Sequence, residues 1–136
     1  MTVAGQARAV AHVRVRYAET DQMGVVYYAN YLVWFEVGRT ELLRSLGWSY
    51  REMEHEGIGL PVIESSCLYH RPARYDDELE IRTKGTLLSA VRMQFDYEIM
   101  RNPGGELIVS GRTLHAAVNG HGRPARLPAR VRGLFT

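Results

Sequence analysis

The most regular feature of the chain is a series of segments in which apolar and polar residues alternate. In Val91–Ile99 five apolar side chains alternate with charged or amide side chains, which is the two-residue period of a strand with one buried face. Asp77–Thr86 shows the same alternation. Weaker versions of the pattern predict three more strands: His12–Tyr17, Pro61–His70 and Glu106–Val118. The first strand places its apolar residues on one face: Val13, Val15 and Tyr17.

A three- and four-residue spacing of apolar side chains predicts one long helix at Tyr28–Leu46. The repeat consists of Tyr31, Phe35, Gly38, Leu42 and Leu46. Further apolar residues extend this surface most of the way round, so we expect a central helix covered on several sides. A glycine inside a helix costs about 1 kcal/mol relative to alanine. We therefore expect another backbone to approach Gly38 closely.

Glycine and proline mark the connections between these elements. Asn102–Gly105 predicts a turn, and Gly111 is interpreted as a β-bulge in the last strand. Ser49–Glu56 fits either a short helix or a structured loop. Near the C-terminus a short helix is expected from Pro128.

The order of a strand, a long helix and four strands predicts an α+β fold, in which a curved antiparallel five-stranded sheet wraps one helix. The 136 residues fit a single domain, 1–136. Its last residues, about 121–136, form a basic tail.

Composition narrows the classes of function. The formal net charge is only +2, and aromatic residues do not interleave with the arginines, which argues against a nucleic-acid partner. Met1–Ala11 lacks the apolar core of a signal peptide, and no apolar run reaches the length of a membrane span. With Cys67 as the one cysteine, these observations predict a cytoplasmic protein.

The residue types that usually hold metals or form nucleophiles are not arranged for those roles. None of the five histidines has metal-ligand spacing to another histidine or to Cys67, so no metal is expected, and no cofactor either. Neither a phosphate-binding glycine loop nor a Gly-x-Ser-x-Gly motif is present. Cys67 lies in a predicted strand, where we expect a buried structural thiol.

The loop Glu19–Tyr27 leads two carboxylates into the start of the long helix. A helix N-terminus presents unpaired N–H groups, which can polarise a carbonyl as an oxyanion hole does. If Gly24 lets the loop curl back, Asp21 faces those N–H groups. A carboxylate opposite oxyanion-hole donors is the smallest set of groups that acyl transfer requires. The alternative left open by the spacing is that Asp21 caps a turn or the helix. Glu19 is expected to be solvated.

Two stretches carry a resemblance to a known family. The first consists of Arg16-Tyr17, Thr20-Asp21, Gly24-Val25-Val26-Tyr27-Tyr28, Asn30-Tyr31, Trp34-Phe35-Glu36 and Arg39. The second is Pro72–Ile81. Both resemble the 4-hydroxybenzoyl-CoA thioesterase family, which includes the YbgC-like acyl-CoA thioesterases.

The resemblance implies a hotdog fold, a homodimer or a homotetramer built as a dimer of dimers, and active sites at the subunit interface. It places the catalytic carboxylate at Asp21, as nucleophile or as general base, and the carbonyl-polarising backbone N–H at Tyr28. YbgC-like members often have histidine at the position of Tyr28, whereas the hydroxybenzoyl-type enzyme has tyrosine, so the backbone role carries over but an imidazole role does not. The expected substrate-binding residues are Gly24, Val25, Val26, Tyr31, Arg92, Arg123 and Arg126.

The contacts to the phosphates of CoA depart from the family pattern. Basic residues of the hydroxybenzoyl-type enzyme are missing at the turn Leu88–Ala90, where Arg92 alone is close. Arginines of the tail, Arg123 and Arg126 among them, suit phosphates because guanidinium groups bind them well. The alternative is a solvated terminal segment.

The expected function is therefore hydrolysis of a short-chain or aromatic acyl-CoA to the free acid and CoA. A non-catalytic acyl-CoA-binding or sensing protein of the same fold is the alternative. A hotdog dehydratase is set aside, because that chemistry calls for a His–Asp pair and no histidine lies near Asp21 in the sequence.

Overall fold

A computed structural model describes residues 6–135, and one five-stranded antiparallel sheet dominates it. The strands are β1 (Gln6–Arg14), β2 (Val62–Tyr69), β3 (Glu78–Ser89), β4 (Arg92–Asn102) and β5 (Glu106–Ala116). Their order across the sheet is β1-β3-β4-β5-β2, so β2 is an edge strand although it precedes β3 in the chain. The predicted α+β class and the five antiparallel strands are confirmed.

The long helix α1 (Asn30–Ser45) packs on one face of the sheet. Its core-facing residues are Tyr31, Trp34, Phe35, Gly38, Leu42 and Leu43. Two short helices follow the predicted positions, α2 (Tyr50–Glu56) and α3 (Ala129–Gly133). Ser49 caps α2 through its hydroxyl, and Gly57 ends α2 in the left-handed conformation. The helix alternative for this segment is therefore the correct one.

The close approach expected at Gly38 is confirmed, but the neighbours are side chains of β3 and not a backbone. A Cβ at this position would overlap the hydroxyl of Thr83 and lie 2.8 Å from Cγ2 of Ile81. The missing side chain therefore lets α1 lie directly against the sheet.

One face of α1 is left uncovered by its own chain. Leu32, Val33 and Val37 are exposed, and Val33 retains 53% of its accessible surface. The expectation of a helix covered on several sides is therefore wrong for the single chain. Three neighbouring apolar side chains in water form the kind of patch that another surface commonly covers.

The N-terminal strand differs from its prediction at both ends. It begins by Gln6 and stops at Arg14, and although Val15 is buried as expected, Tyr17 is 78% exposed. The chain leaves the sheet here because the carboxylate of Glu19 accepts the backbone N–H of Arg16 at 2.7 Å and closes a 3-10 turn. Glu19 is buried by this contact, so its assignment as a solvated loop residue was wrong.

The bulge in β5 lies at Ile108, not at Gly111. Ile99 of β4 pairs with Val109 and Met100 pairs with Leu107, which leaves Ile108 as the extra residue. Gly111 keeps regular pairing on both sides and serves packing instead, because a Cβ there would meet the ring of Phe35.

The basic tail is packed on the domain. Leu127, Val131 and Phe135 are buried, and the N–H of Leu127 donates to the carbonyl of Ala90 at 2.8 Å. The solvated-segment alternative is therefore wrong for residues 127–135, but it holds for residues 120–124 and for the side chains of Arg123 and Arg126, which are exposed. The short helix expected from Pro128 is confirmed. Within residues 6–135 no helix has the length and hydrophobicity that crossing a bilayer requires.

Candidate active site

The segment from Thr20 to Val26 is a tight loop held by its own backbone. Thr20 and Val26 form an antiparallel bridge, and between them the N–H of Asp21 donates to the carbonyl of Val25 at 2.9 Å. The N–H of Gly24 donates to the carbonyl of Asp21 at 3.0 Å, which closes a β-turn. Gly24 has a φ of +78°, so it permits the turn as expected. Both backbone groups of Asp21 are thus fixed.

The carboxylate of Asp21 is fixed through one oxygen. Oδ1 accepts the backbone N–H of Met23 at 2.9 Å, which is the turn that an aspartate forms with the chain two residues further on. Oδ2 has no hydrogen-bond partner among residues 6–135, and the side chain is partly exposed. The turn-capping alternative and a chemical role are therefore compatible, because they use different oxygens.

Tyr28 lies two residues before α1 and not at its first residue. The N–H of Asn30 donates to the carbonyl of Tyr27 at 2.9 Å, so Tyr28 and Ala29 are the central residues of a turn that leads into the helix. The N–H of Tyr28 donates to no atom of the described part of the chain. An unpaired donor of the predicted kind is therefore present, although the helix starts later than predicted.

Ala73 joins the loop, the helix and the chain that follows β2. Its carbonyl accepts the N–H of Val26 at 2.8 Å, and its own N–H donates to the hydroxyl of Tyr31 at 3.2 Å. Next to it, the guanidinium group of Arg101 donates to the carbonyl of Pro72 at 3.0 Å. The segments around Asp21 and Tyr31 are thereby held in one geometry.

A cavity of about 330 Å³ opens beside these residues. Its walls come from the Asp21 loop, the first turn of α1 and the end of β2 with the residues that follow it. The lining residues are Asp21, Met23, Val25, Val26, Tyr28, Tyr31, Tyr69, His70, Arg71 and Pro72. The structure therefore brings five of the nine predicted site residues to one cavity: Asp21, Val25, Val26, Tyr28 and Tyr31.

Three tyrosine rings form much of the apolar wall. The ring of Tyr69 packs edge to face against two other rings. Its centroid lies 6.4 Å from that of Tyr28 and 5.7 Å from that of Tyr31. The hydroxyl of Tyr69 donates to the carbonyl of Tyr28 at 3.3 Å. Burial, with smaller contributions from Cys67 and the neighbouring tyrosines, raises the pKa of Tyr69 to about 12. Tyr69 therefore remains a protonated donor at neutral pH.

The three arginines proposed for CoA lie at the other end of the sheet. Arg92 begins β4, and the β4 residue level with the cavity is Ile99, seven positions or roughly 23 Å further along the strand. Arg123 and Arg126 flank a segment that hydrogen-bonds to Ala117, at the same end as Arg92. These three residues and the cavity are not brought together within one chain.

The far wall of the cavity was not predicted from the sequence. This wall consists of Tyr69, His70, Arg71 and Pro72. They lie near the Asp21 loop because β2 is the last strand of the sheet, and no local sequence pattern predicts that strand order. His70 changes one earlier conclusion: a histidine does share the cavity with Asp21. Its Nε2 lies 2.8 Å from the hydroxyl of Ser110.

Neither a reactive cysteine nor a metal site is found elsewhere in the described residues. Burial is the main cause that raises the pKa of the Cys67 thiol, which keeps it protonated and a poor nucleophile. The thiol is half-buried rather than fully buried as expected. Across residues 6–135, no three His, Cys, Asp or Glu side chains converge closely enough to hold a metal ion.

Comparison with known proteins places this geometry in a family. The model of the thioesterase-like superfamily matches residues 15–135. YneP of Bacillus subtilis is 42% identical over 107 residues, which is 79% of this chain and 77% of YneP. The acyl-CoA thioesterase YbgC of Haemophilus influenzae is 33% identical over 126 residues, with 90% of each chain covered.

The fold agrees with a solved structure over nearly its whole length. Slr0204, a 1,4-dihydroxy-2-naphthoyl-CoA thioesterase from Synechocystis, superposes with a TM-score of 0.88 at 26% identity, covering 95% of this chain and 96% of that chain. The predicted hotdog arrangement of sheet and helix is thereby confirmed. The chain belongs to the thioesterase-like superfamily.

Proposed function

We propose that the protein hydrolyses the thioester of a short-chain or aromatic acyl-CoA to the free acid and CoA. One observation carries the proposal: a carboxylate oxygen of Asp21 and the backbone N–H of Tyr28, both unpaired within residues 6–135, belong to residues that line the same cavity. The activities named for YbgC and Slr0204 support the reaction class.

The proposed chemistry assigns different tasks to these two groups. The N–H of Tyr28 donates to the thioester oxygen and stabilises the negative charge that develops on it. The free oxygen of Asp21 either attacks the carbonyl carbon, which expels CoA thiolate and leaves a mixed anhydride for water to hydrolyse, or takes a proton from the water that attacks. Both routes end in the carboxylic acid and CoA, and both need the carboxylate anchored as the Met23 contact anchors it.

Thiol release from a panel of acyl-CoA thioesters tests the function. Acetyl-, butyryl-, octanoyl- and benzoyl-CoA are incubated with the protein, and free CoA is followed with a thiol reagent. We expect catalytic turnover of at least one short-chain or aromatic ester. Calorimetric binding of these esters with no thiol release would instead favour the non-catalytic acyl-CoA-binding alternative. Because His70 shares the cavity, 3-hydroxybutyryl-CoA belongs in the panel, and its dehydration would favour the dehydratase.

We also propose that the protein acts as a homodimer or a dimer of dimers, with β2 at the subunit contact. β2 is an eight-residue edge strand, and Val62, Ile63, Leu68 and Tyr69 on it are exposed, Leu68 to 65%. Long apolar edges pair readily with another strand, so proteins rarely leave them open. Since Tyr69 on this edge also lines the cavity, the proposed subunit contact lies beside the candidate site.

The contacts of Arg92, Arg123 and Arg126 to CoA phosphates stay a prediction. In the proposed dimer these arginines would bind the phosphates of the substrate in the partner's cavity. The cytoplasmic location also stays a prediction.

Light scattering during size-exclusion chromatography tests the assembly. At tens of micromolar we expect the mass of two or four chains, because pairing at β2 and cover for the exposed face of α1 both remove apolar surface from water. The mass of one chain across that concentration range would contradict the dimer.

A further inference from the structure

Tyr69 has a position that no other residue of the site shares. It is the last residue of β2, so it belongs to the sheet, while its ring lies between those of Tyr28 before the helix and Tyr31 in its first turn. The ring is half-exposed, and it lines the cavity beside Asp21. Tyr69 therefore contacts Tyr28, which carries the proposed carbonyl-polarising N–H, and also lines the cavity that would hold the acyl group.

The hydroxyl of Tyr69 fixes the turn that holds Tyr28. It donates to the carbonyl of Tyr28 at 3.3 Å, and the turn has no side-chain cap of its own, because Ala29 stands at the N-cap of α1. The N–H of Tyr28 shares its peptide plane with the carbonyl of Tyr27, which the N–H of Asn30 holds at 2.9 Å. The bond from Tyr69 holds the next peptide plane, so the two bonds together limit rotation about Tyr28 and fix the direction of its N–H. Electrostatic stabilisation depends on donors that are held in place before the reaction.

The ring of Tyr69 shapes what the cavity accepts. The hydroxyls of Tyr31 and Tyr69 both bond to backbone groups, at Ala73 and Tyr28, so these residues turn their hydroxyls to the chain and their rings to each other and the cavity. Aromatic rings favour edge-to-face and offset contacts with another ring over contact with an alkyl chain of equal area.

We propose that Tyr69 is a positioning and specificity-determining residue, whose hydroxyl orients Tyr28 and whose ring selects planar aromatic acyl groups over flexible alkyl groups. The proposal rests on the proposed thioesterase function and deepens it, since it names the acyl class and the side chain that sets it. The two parts separate experimentally, because phenylalanine removes only the hydroxyl and leucine removes the ring.

Tyr69→Phe tests the positioning role. Loss of one hydrogen bond that holds the turn is expected to lower kcat about three- to tenfold for benzoyl-CoA and butyryl-CoA alike, with KM unchanged within about twofold. Tyr75→Phe is the matched control: Tyr75 is 58% exposed, contacts Tyr17, and lies outside the cavity lining. An unchanged kcat for Tyr69→Phe, or an equal loss in Tyr75→Phe, would overturn the positioning role.

Tyr69→Leu tests the selectivity. We expect the ratio of kcat/KM for benzoyl-CoA to that for butyryl-CoA to fall about fivefold or more, because leucine keeps apolar surface but loses the ring contacts. Equal losses on both esters would overturn it. Thermal unfolding confirms that the variant is folded, and Tyr69→Met takes its place if it is not.

A binding measurement keeps this test independent of the proposed function. Phenacyl-CoA carries a thioether in place of the thioester and is not hydrolysed. If the wild type released thiol from no ester, the hydrolase proposal would fail, but calorimetric titration of phenacyl-CoA into wild type and Tyr69→Leu would still show whether the ring of Tyr69 contributes to binding an aromatic group. We expect about fivefold weaker binding to the variant, and equal affinities would overturn the inference.

Discussion

Asp21→Asn is expected to lower kcat for thioester hydrolysis by a factor on the order of 10²–10⁴, which is the usual cost of losing a positioned acid–base or nucleophilic group. The amide keeps an oxygen for the N–H of Met23, so the turn stays closed. What disappears is the negatively charged second oxygen, which has no partner within residues 6–135. The measurement is steady-state thiol release on the best acyl-CoA of the panel.

Asp96→Asn is the matched control for this substitution. Asp96 pairs with Arg112 at 3.3 Å and does not line the Asp21 cavity, so its loss is expected to change kcat less than about twofold. Equal activity of Asp21→Asn and wild type would contradict the role of Asp21, and an equal loss in Asp96→Asn would show that the assay reports general damage.

Gly111→Ala is expected to destabilise the domain by about 3 kcal/mol, the upper part of the usual range for an overpacked core. The added Cβ would lie 2.5 Å from Cε2 and Cζ of Phe35 and 2.6 Å from the carbonyl oxygen of Ser66. Phe35 is fully buried, and its ring stacks on that of Tyr97 with 4.2 Å between the ring centroids. The ring of Phe35 therefore has no space to move into. The carbonyl of Ser66 belongs to β2, so the strain falls on the edge strand that carries Tyr69.

Urea denaturation measures this change through the free energy of unfolding, with Gly120→Ala as control. No atom lies within 4 Å of a Cβ at position 120, so that variant is expected to lose no more than about 0.5 kcal/mol. If Gly111→Ala matched wild type in midpoint and slope, the packing of Phe35 against the β2–β5 pair would not be as described.

Much of the fold could be predicted because the alternation of apolar and polar residues in a strand indicates which face is buried. β4 alternates without interruption, and its predicted buried face is the observed one: Met93, Phe95, Tyr97 and Ile99. The errors fall where local contacts override the pattern. Val15 and Tyr17 continue the alternation of β1, yet the carboxylate of Glu19 turns the chain at Arg16 and leaves Tyr17 in water.

The start of α1 shows a second limit. Tyr28 and Ala29 are compatible with helix, but the hydrogen bond from Asn30 to the carbonyl of Tyr27 forms a separate turn first. No side chain at the N-cap marks this boundary, since Ala29 has no hydrogen-bonding group. The donor predicted at Tyr28 survives because the central residues of a turn also leave their N–H groups free.

The candidate site could be predicted only as far as it is continuous in the chain. Asp21 and Tyr28 are seven residues apart, and the loop between them is held by its own backbone, so local reasoning reaches both. Tyr69 and His70 enter through the strand order, which places β2 beyond β5. The prediction for Arg92 depends on its charge and its place in the sequence, whereas the length of β4 separates Arg92 from the cavity.

The proposed reaction requires that the thioester carbonyl contacts both Asp21 and Tyr28, and a crystal structure of Asp21→Asn with an intact acyl-CoA tests this directly. We expect the carbonyl oxygen about 3 Å from the backbone nitrogen of Tyr28, with the carbonyl carbon facing the side chain at position 21. An acyl-CoA bound in the cavity with its carbonyl turned away from Tyr28, or bound elsewhere on the domain, would contradict the proposed mechanism.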